Sequence, residues 1–262
     1  MILHLSDPHF GTEQARPVRA LKQLCDELKP EVVVVSGDLT QRARHGQFID
    51  AKRFLESLGC PYLVIPGNHD IPLFHLPRRI WRPFHRFQQC FGSLEPQIET
   101  EHFFVVGVNT IKSHHHTKGS ISLRQIEHVA EQLQAAPAHK HKIVATHQPF
   151  MVSPHDDEAA KDIPRLMLPA LKRWSACGLH ALLHGHLHHS AVYDLNQYFL
   201  LGRSHPVLDI HAGTALSHRV RHSIPNSVNI ICADLTVRRY DYDETQVRFI
   251  EKKILWQPKT AD

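Results

Sequence analysis

The chain has 262 residues, of which 42% are hydrophobic and 21% charged, a composition that excludes a disordered or fibrous protein. Its formal net charge of +4 suits an anionic substrate but does not require nucleic acid as a partner. No apolar stretch reaches the roughly 18 residues that a membrane-spanning helix needs, so membrane contact could only be peripheral.

The first 65 residues alternate between strand and helix patterns. Residues 2–6 form a buried strand pattern, and residues 18–28 have helical spacing that stops before Pro30. Val32–Val35 is a continuous β-branched run, which is typical of a strand buried on both faces. A helix over residues 48–58 and a strand over residues 62–65 follow. This order predicts parallel strands joined by right-handed crossovers.

The remainder of the chain changes character towards its end. We predict strands at 103–108, 142–146 and 181–184 and a helix at 123–133, then strand-like segments at 191–201, 207–212, 227–235 and 247–255. No internal repeat or linker-like composition interrupts residues 1–262. The sequence therefore predicts a single α/β domain.

The five cysteines are odd in number and far apart, and none forms a closely spaced zinc or redox pair. Five residues precede Ser6, too few for a secretory signal before the first polar motif. Both observations favour reduced thiols and a cytoplasmic location.

Five short polar motifs each follow an apolar run. They are Asp7-Pro8-His9, Gly37-Asp38, Gly67-Asn68-His69-Asp70, His147 and Gly185-His186-Leu187-His188. Ligands bind outside the carboxyl ends of the strands in an open α/β sheet, so these motifs can converge on one site. Their mixture of carboxylate, imidazole and amide groups suits transition metals. Two such ions favour displacement at phosphorus, and the motifs therefore indicate phosphoester hydrolysis.

Each motif taken alone is a weak signal. Asp7-Pro8-His9 and Gly37-Asp38 are both common in turns, and His147 would ordinarily be a loop histidine. The residues from Gly185 to His188 are more informative, because alternate side chains of a strand point the same way and both imidazoles would face one point. No structural explanation covers all five motifs together.

The order of these motifs resembles that of the calcineurin-like metallophosphoesterase superfamily, and within it the class III cyclic-nucleotide phosphodiesterases of bacteria most closely. The likeness covers residues 1–72 and 140–190, and every metal-binding motif is present. It implies a fold of two mixed β-sheets packed as a sandwich with helices on the outside.

The resemblance also implies a role for each motif residue. One metal ion would be held by Asp7, His9 and His188, a second by Asn68, His147 and His186, and both by a bridging Asp38. The ions would be divalent or trivalent Mn, Fe or Zn. A hydroxide between them would attack phosphorus. His69 would stabilise the phosphorane or protonate the leaving oxygen, and Asp70 would fix the tautomer of His69.

The favoured function is hydrolysis of a small phosphodiester such as a cyclic nucleotide. Three alternatives are a nuclease of the DNA-repair exonuclease type, a lipid-linked pyrophosphatase and a non-catalytic scaffold. Whether the protein forms a homodimer is left open.

Two further segments carry several arginines. Residues 78–87 interleave four arginines with three aromatic residues, which is typical of an amphipathic helix covering the sheet; the same pattern could also contact an anionic substrate, a membrane surface or, less favoured, nucleic acid. Residues 213–227 could contact substrate through Arg219 and Arg221 or form an ordinary surface turn.

Overall fold

The structure, a computed structural model, describes residues 1–73, 75–220 and 224–258. Twelve strands in that part of the chain form two six-stranded mixed sheets with helices outside them. The strands are β1 Ile2–Leu5, β2 Val32–Val35, β3 Tyr62–Val64, β4 Gln97–Glu99, β5 Phe103–Gly107, β6 His141–Ala145, β7 Leu179–His184, β8 Ala191–Asp194, β9 Leu208–His211, β10 Ser227–Ile231, β11 Val237–Asp243 and β12 Arg248–Trp256. The predicted fold class is therefore confirmed.

The helices lie between and outside these strands. They are α1 Ala15–Leu28, α2 His45–Ser57, α3 Leu76–Trp81, α4 His85–Phe91, α5 Leu123–Ala135, α6 Asp157–Ala160 and α7 Met167–Ala176. The first sheet has the order β12-β11-β10-β1-β2-β3 and the second β4-β5-β6-β7-β9-β8. Strands β1 to β3 are parallel to one another, as are β5, β6, β7 and β9, as the crossover pattern predicts.

The β-branched run of β2 shows how the sandwich is built. Val32 and Val34 pack between the two sheets, whereas Val33 and Val35 pack against the helices on the outer face of the first sheet. A strand with apolar partners on both faces needs no polar alternation, which explains the unbroken run of valines. The second sheet is covered on its outer face in the same way by α5 and α7.

The sequence reading was wrong in several places. The strand predicted over residues 191–201 ends at Asp194, whose side chain accepts a hydrogen bond from the backbone N–H of Asn196 and starts a 3₁₀ turn. Neither β11 nor α7 was predicted, and the predicted strand over residues 227–235 ends at Ile231. The extent of the domain, residues 1–262, stays a prediction.

The segment 78–87 also departs from the favoured interpretation. A helix covering the sheet would bury an apolar stripe, but α3 has no buried residue, and α4 buries Phe87 alone. The exposed side of α3 carries apolar side chains instead of only arginines. No helix of the described residues is long and apolar enough to cross a membrane.

Candidate metal centre

The five predicted motifs lie at the carboxyl ends of parallel strands from both sheets. The motifs at Asp7, Asp38 and Asn68 follow β1, β2 and β3, and those at His147 and His186 follow β6 and β7. Hydrogen bonds join the two halves: the backbone N–H of His186 donates to Asp7 Oδ2 at 3.0 Å, and His147 Nδ1 donates to the carbonyl of Ser36 at 2.8 Å. The strand ends of the two sheets thus form one continuous surface beneath the candidate site.

Three ligand atoms converge on the side of β1. His9 Nε2 lies 3.4 Å from His188 Nε2, and Asp7 Oδ1 lies 3.3 Å from His188 Nε2 and 3.7 Å from His9 Nε2. Ligands that share one tetrahedral ion at about 2.0–2.1 Å lie roughly 3.3 Å apart, so this spacing fits a metal. Asp7 Oδ1 is buried and has no hydrogen-bond partner, as expected for an atom kept for a cation.

A second group converges on the side of β6. His147 Nε2 lies 3.1 Å from Asn68 Oδ1, 3.3 Å from His186 Nδ1 and 3.5 Å from Asp38 Oδ1. The other oxygen of Asp38, Oδ2, faces His9 Nε2 at 3.9 Å. Asp38 therefore stands between the two groups, and Asp7 also lies close enough to Asp38 and His147 to share a cation with them. The residues present fit two metal ions.

The backbone at this site adopts conformations that side chains usually avoid. Ten non-glycine residues in the described part of the chain have positive φ, and five of them are predicted ligands. They are Asp7 (φ 51°), His9 (46°), Asp38 (52°), His186 (67°) and His188 (58°). Left-handed backbone costs free energy for such residues and persists where the surroundings hold it, commonly at functional sites. The interpretation of residues 185–188 as a strand is wrong, because β7 ends at His184.

Two glycines are required by close approach to this site. Gly37 has a φ of +98°, and a Cβ there would lie 2.4 Å from His147 Nδ1. A Cβ on Gly185 would lie 1.6 Å from Ser6 Oγ and 2.5 Å from Asp7 Oδ2. Larger side chains at either position would displace a predicted ligand.

Opposed charges set the protonation of the buried ligands. Burial disfavours ionisation of Asp38, but the charges of His147 and His69 outweigh it and hold the pKa of Asp38 well below its usual range. Burial likewise opposes the charge of His147, yet the carboxylate of Asp38 raises the pKa of His147 to about 9. Without metal this imidazole holds a proton at neutral pH, and an ion must displace it.

His69 lies on the open side of the site. Its backbone N–H donates to Asp38 Oδ1 at 2.7 Å, but its ring nitrogens make none of the close contacts of the two ligand groups. Its Nδ1 lies 3.0 Å from the carbonyl of Gln41, which can only accept, so Nδ1 carries a proton. In the neutral ring Nε2 is then an acceptor, and Arg219 Nη1 donates to it at 3.2 Å. The ring is thus oriented with Nε2 beside a permanent positive charge.

Asp70 does not orient His69 as expected, and this prediction is wrong. Its oxygens accept hydrogen bonds from the backbone N–H groups of Leu39, Thr40 and Gly67 at 2.8–3.0 Å and from the Thr40 hydroxyl at 2.8 Å. The carboxylate fixes the loops that carry Asp38 and Asn68. Burial and the charge of Asp38 raise the pKa of Asp70 to about 7.

Other side chains position the predicted ligands. Asp162 Oδ2 accepts a hydrogen bond from His186 Nε2 at 2.8 Å, which directs the Nδ1 of that ring towards His147. Thr214 Oγ1 and the carbonyl of Arg219 both lie 2.8 Å from His188 Nδ1. Sequence analysis singled out the segment with Thr214 and Arg219 but missed Asp162, which lies in an acidic stretch without any distinguishing spacing. Arg221, also singled out, lies outside the described residues.

A sequence profile described as calcineurin-like phosphoesterase matches residues 1–190. A curated relative, the glycerophosphodiester phosphodiesterase GpdQ of Enterobacter lignolyticus (strain SCF1), is 34% identical over 83 residues, which are 27% of this chain and 29% of that protein. The match thus spans less than a third of the relative's length.

Solved structures share the fold at low sequence identity. The purple acid phosphatase PPD1 of yellow lupin (Lupinus luteus) superposes with a TM-score of 0.68 at 12% identity, over 95% of this chain and 52% of that one. A dimetal phosphatase of Danio rerio superposes with a TM-score of 0.54 at 13% identity, over 91% and 94%. The profile covers well over half of the sequence, and the chain therefore belongs to the calcineurin-like phosphoesterase family.

Proposed function

We propose that this protein is a two-metal-dependent phosphodiesterase that hydrolyses a small phosphodiester. The family uses a dinuclear metal centre. The observation that carries the proposal is the pair of ligand groups facing each other across the carboxylate of Asp38, at spacings that suit shared ions. Mn, Fe and Zn are the ions that these ligands suit best.

The ligand set divides as the family resemblance implies. Asp7, His9 and His188 would hold one ion, Asn68, His147 and His186 would hold the other, and Asp38, which stands between the two groups, would contact both. When bound, such ions polarise phosphoryl oxygens and lower the pKa of water. The protein contributes the fixed positions of these side chains, which the positive-φ backbone and the partners Ser36, Asp162 and Thr214 maintain.

His69 and Arg219 supply the chemistry on the open side. Arg219 lines an open cavity of about 330 Å³ with His186 and His188, so a diester entering there meets its guanidinium. The guanidinium can bind the non-bridging oxygens of the phosphate, and it also donates to Gln41 Oε1 at 3.0 Å, which limits its freedom. His69 Nε2 lies beside this guanidinium at 3.2 Å, and in the protonated ring it would donate its proton to the leaving oxygen.

The substrate class follows from chemistry and from likeness. The resemblance to bacterial class III enzymes suggests a cyclic nucleotide, and the name of the curated relative suggests a glycerophosphodiester. Both are small phosphodiesters, which one site with a single phosphate position can accept. A cytoplasmic location and a homodimer stay predictions.

The test is a substrate panel on protein stripped of metal and refilled with Mn, Fe or Zn. The panel contains 3′,5′-cyclic AMP, glycerophosphocholine, bis(4-nitrophenyl) phosphate, 4-nitrophenyl phosphate, a nucleoside diphosphate-lipid and single-stranded DNA. We expect turnover of the small diesters, loss on chelation and recovery on refilling. Preferred cleavage of DNA would establish the nuclease, and preferred cleavage of the nucleoside diphosphate-lipid would establish the pyrophosphatase. If no substrate is hydrolysed with any metal, the non-catalytic scaffold is the remaining alternative.

Arg219→Gln tests the substrate contact separately. Loss of one charge-assisted contact to the phosphate predicts a rise in KM of about 10–100-fold with unchanged metal content. Arg165→Gln, a change of an exposed arginine elsewhere, serves as the matched control. An unchanged KM in the Arg219 variant would remove this residue from the site.

A further inference from the structure

Helix α3 presents apolar side chains to solvent beside the candidate site. Leu76, Ile80 and Trp81 are 63%, 66% and 77% exposed, and α3 buries no residue. Leu76 and Ile80 are four residues apart and lie on one side of the helix. Three of the ten exposed large apolar side chains in the described residues fall within this six-residue helix. Such grouping marks an interaction surface more often than scattered exposed leucines do.

The same surface is strongly cationic. Residues 71–94 contain four arginines and no aspartate or glutamate. Arg78, Arg82 and Arg86 line a cavity of about 200 Å³, whose single carboxylate, that of Asp70, already accepts four hydrogen bonds. Within residues 1–73, 75–220 and 224–258, no salt bridge joins these three arginines to a carboxylate. Burial and the charge of Arg78 lower the pKa of Arg86, consistent with unneutralised charge in the cavity.

Hydrogen bonds hold this surface in place without a partner. Arg79 donates to the carbonyls of Ser113 at 2.7 Å, His115 at 2.8 Å and Pro72 at 3.2 Å. Arg86 donates to the carbonyl of Ala43 at 2.7 Å. The apolar residues and the arginine cavity are therefore presented together on a preformed face.

The charge and apolar character of this face indicate which kind of partner could bind it. A second copy of the chain meeting it by two-fold symmetry would bring two arginine sets together without carboxylates. Nucleic acid would satisfy the arginines but leave the aliphatic side chains exposed. An anionic bilayer supplies both complements, with phosphates for the arginines and interfacial hydrocarbon for isoleucine, leucine and tryptophan.

We propose that α3 and the arginine cavity beneath it form a docking site for an anionic lipid surface. Trp81 and Ile80 enter the interface, and Arg78, Arg82 and Arg86 bind headgroup phosphates. Arg79 also lines a small cavity of about 60 Å³ together with Asn68 and His69, so the docking site adjoins the candidate metal centre. Docking would hold that centre close to the headgroup layer.

Co-sedimentation of the full chain with vesicles tests this. We expect binding to vesicles of phosphatidylcholine with phosphatidylglycerol, weaker binding at high salt, and little binding to phosphatidylcholine alone. Ile80→Ser with Trp81→Ser should weaken binding at least about tenfold, since two apolar side chains leave the interface. Arg78→Gln with Arg82→Gln should weaken it about 30-fold, at about 1 kcal/mol per arginine. Leu200→Ser, a change at a leucine that is 96% exposed, is the matched control and should bind as the unmodified protein does.

Tryptophan fluorescence distinguishes insertion from simple charge attraction. Trp174 is fully buried and Trp256 partly buried, so a blue shift on adding anionic vesicles reports mainly on Trp81. We expect that shift in the unmodified protein and in the leucine control, and its absence in the double variant at positions 80 and 81. Three results would overturn the proposal: no binding to anionic vesicles at low salt, binding without a blue shift, or double variants that both bind as strongly as the unmodified protein. Stronger binding to a single-stranded oligonucleotide than to vesicles would assign the face to nucleic acid instead.

Discussion

Two groups of histidine and aspartate lie one above the other in this protein and have different geometries. The ligand cluster comprises Asp7, His9, Asp38, Asn68, His147, His186 and His188. The buried cluster lies beneath it and comprises His4, His184, Asp209 and His211, all fully buried. The two clusters contain similar residue types and lie on neighbouring strands. The differences in their geometry therefore show which features distinguish a metal ligand from a structural side chain.

In the ligand cluster, imidazole nitrogens face one another. The Nε2 atoms of His9 and His188 are 3.4 Å apart, and His147 Nε2 and His186 Nδ1 are 3.3 Å apart. In the buried cluster, they face oxygens instead: His211 Nε2 lies 3.0 Å from Asp209 Oδ2, and His4 Nε2 lies 2.9 Å from Ser36 Oγ. The first arrangement suits a shared cation, whereas in the second His4 Nε2 and His211 Nε2 are each paired with an oxygen of the protein.

Backbone conformation separates the clusters in the same way. Five residues of the ligand cluster have positive φ, whereas no residue of the buried cluster does. His4, His184, Asp209 and His211 lie inside strands β1, β7 and β9, and the ligands lie just beyond strand ends. The position of a residue just beyond a strand end, and not its residue type, thus distinguishes the predicted ligands from the buried cluster.

Removing the central carboxylate of each cluster should give different results. Asp38→Ala removes the group between the two metal positions, so we expect loss of both ions and activity at background. Asp209→Ala leaves His184, His211 and the backbone N–H of Met151 unpaired, which predicts a loss of about 3–5 kcal/mol in the free energy of unfolding. Elemental analysis and urea unfolding measure the two effects. If the Asp209 variant loses both ions at unchanged stability, the clusters are not distinct in function.

His69→Ala tests whether a histidine beside the ligand cluster acts without holding metal. Since its Nε2 contacts Arg219 and not another ligand atom, we expect both ions to remain and kcat to fall by about 10²–10⁴-fold. A substrate with a nitrophenyl leaving group needs little protonation, so a smaller loss there would identify His69 as the proton donor. Equal losses would favour stabilisation of the phosphorane. Loss of one ion would show instead that His69 is a ligand.

The sequence predicted the fold best where its pattern is continuous. The valines of β2 and the alternation from β1 to β3 gave the parallel half of the first sheet, because burial on both faces leaves an unbroken apolar run. The pattern failed at Asp194, where a side chain competes for the backbone, and at α3, where exposed apolar residues look like buried ones. The periodicity of apolar residues indicates that a helix is amphipathic, but it does not indicate which side of the helix packs against the rest of the protein.

The site could be predicted as a group of residues but not as a set of contacts. The motifs indicated which side chains converge because parallel strands end at one edge. They could not show that Asp70 binds backbone amides, that the carbonyl of Gln41 holds His69, or that Asp162 supports His186, since those contacts join separate loops. The motif also could not show why position 185 is a glycine, which close packing against Ser6 requires.

Asp162→Asn should weaken one ion of the ligand cluster more than the other. A carboxylate that accepts from a ligating imidazole fixes the orientation of the ring, and its loss typically costs about 10–100-fold in metal affinity. We expect titration of the metal-free protein to show weaker binding at the position next to His186 and unchanged binding at the other. Asp157→Asn, an exposed change in the neighbouring helix α6, is the control. Equal weakening at both positions would mean that Asp162 supports the loop as a whole.

The smallest effect concerns protonation of the buried cluster. Burial, reinforced by the charges of His184 and His211, lowers the pKa of His4 from 6.5 to about 3. As pH falls below 6.5 the unfolded chain binds a proton at this residue and the folded protein does not, so stability is lost between pH 6.5 and about 3. One such group contributes about 1.4 kcal/mol per pH unit in this window, or about 2 kcal/mol between pH 6.5 and about pH 5.

His4→Gln isolates this contribution, because glutamine can still bond to the Ser36 hydroxyl but takes up no proton. Urea unfolding of the metal-free protein at about pH 7 and about pH 5 should show that the variant loses about 2 kcal/mol less on acidification than the unmodified protein. Asp209 does not obscure the result, since its histidine neighbours outweigh burial and hold its pKa below the usual range, where neither state protonates it at these pH values. His128→Gln, a change on the exposed side of α5, is the control and should leave the acid sensitivity unchanged. An identical loss in the His4 variant would mean that the buried cluster accepts protons as readily as the unfolded chain, and that burial does not distinguish it from the ligand cluster above.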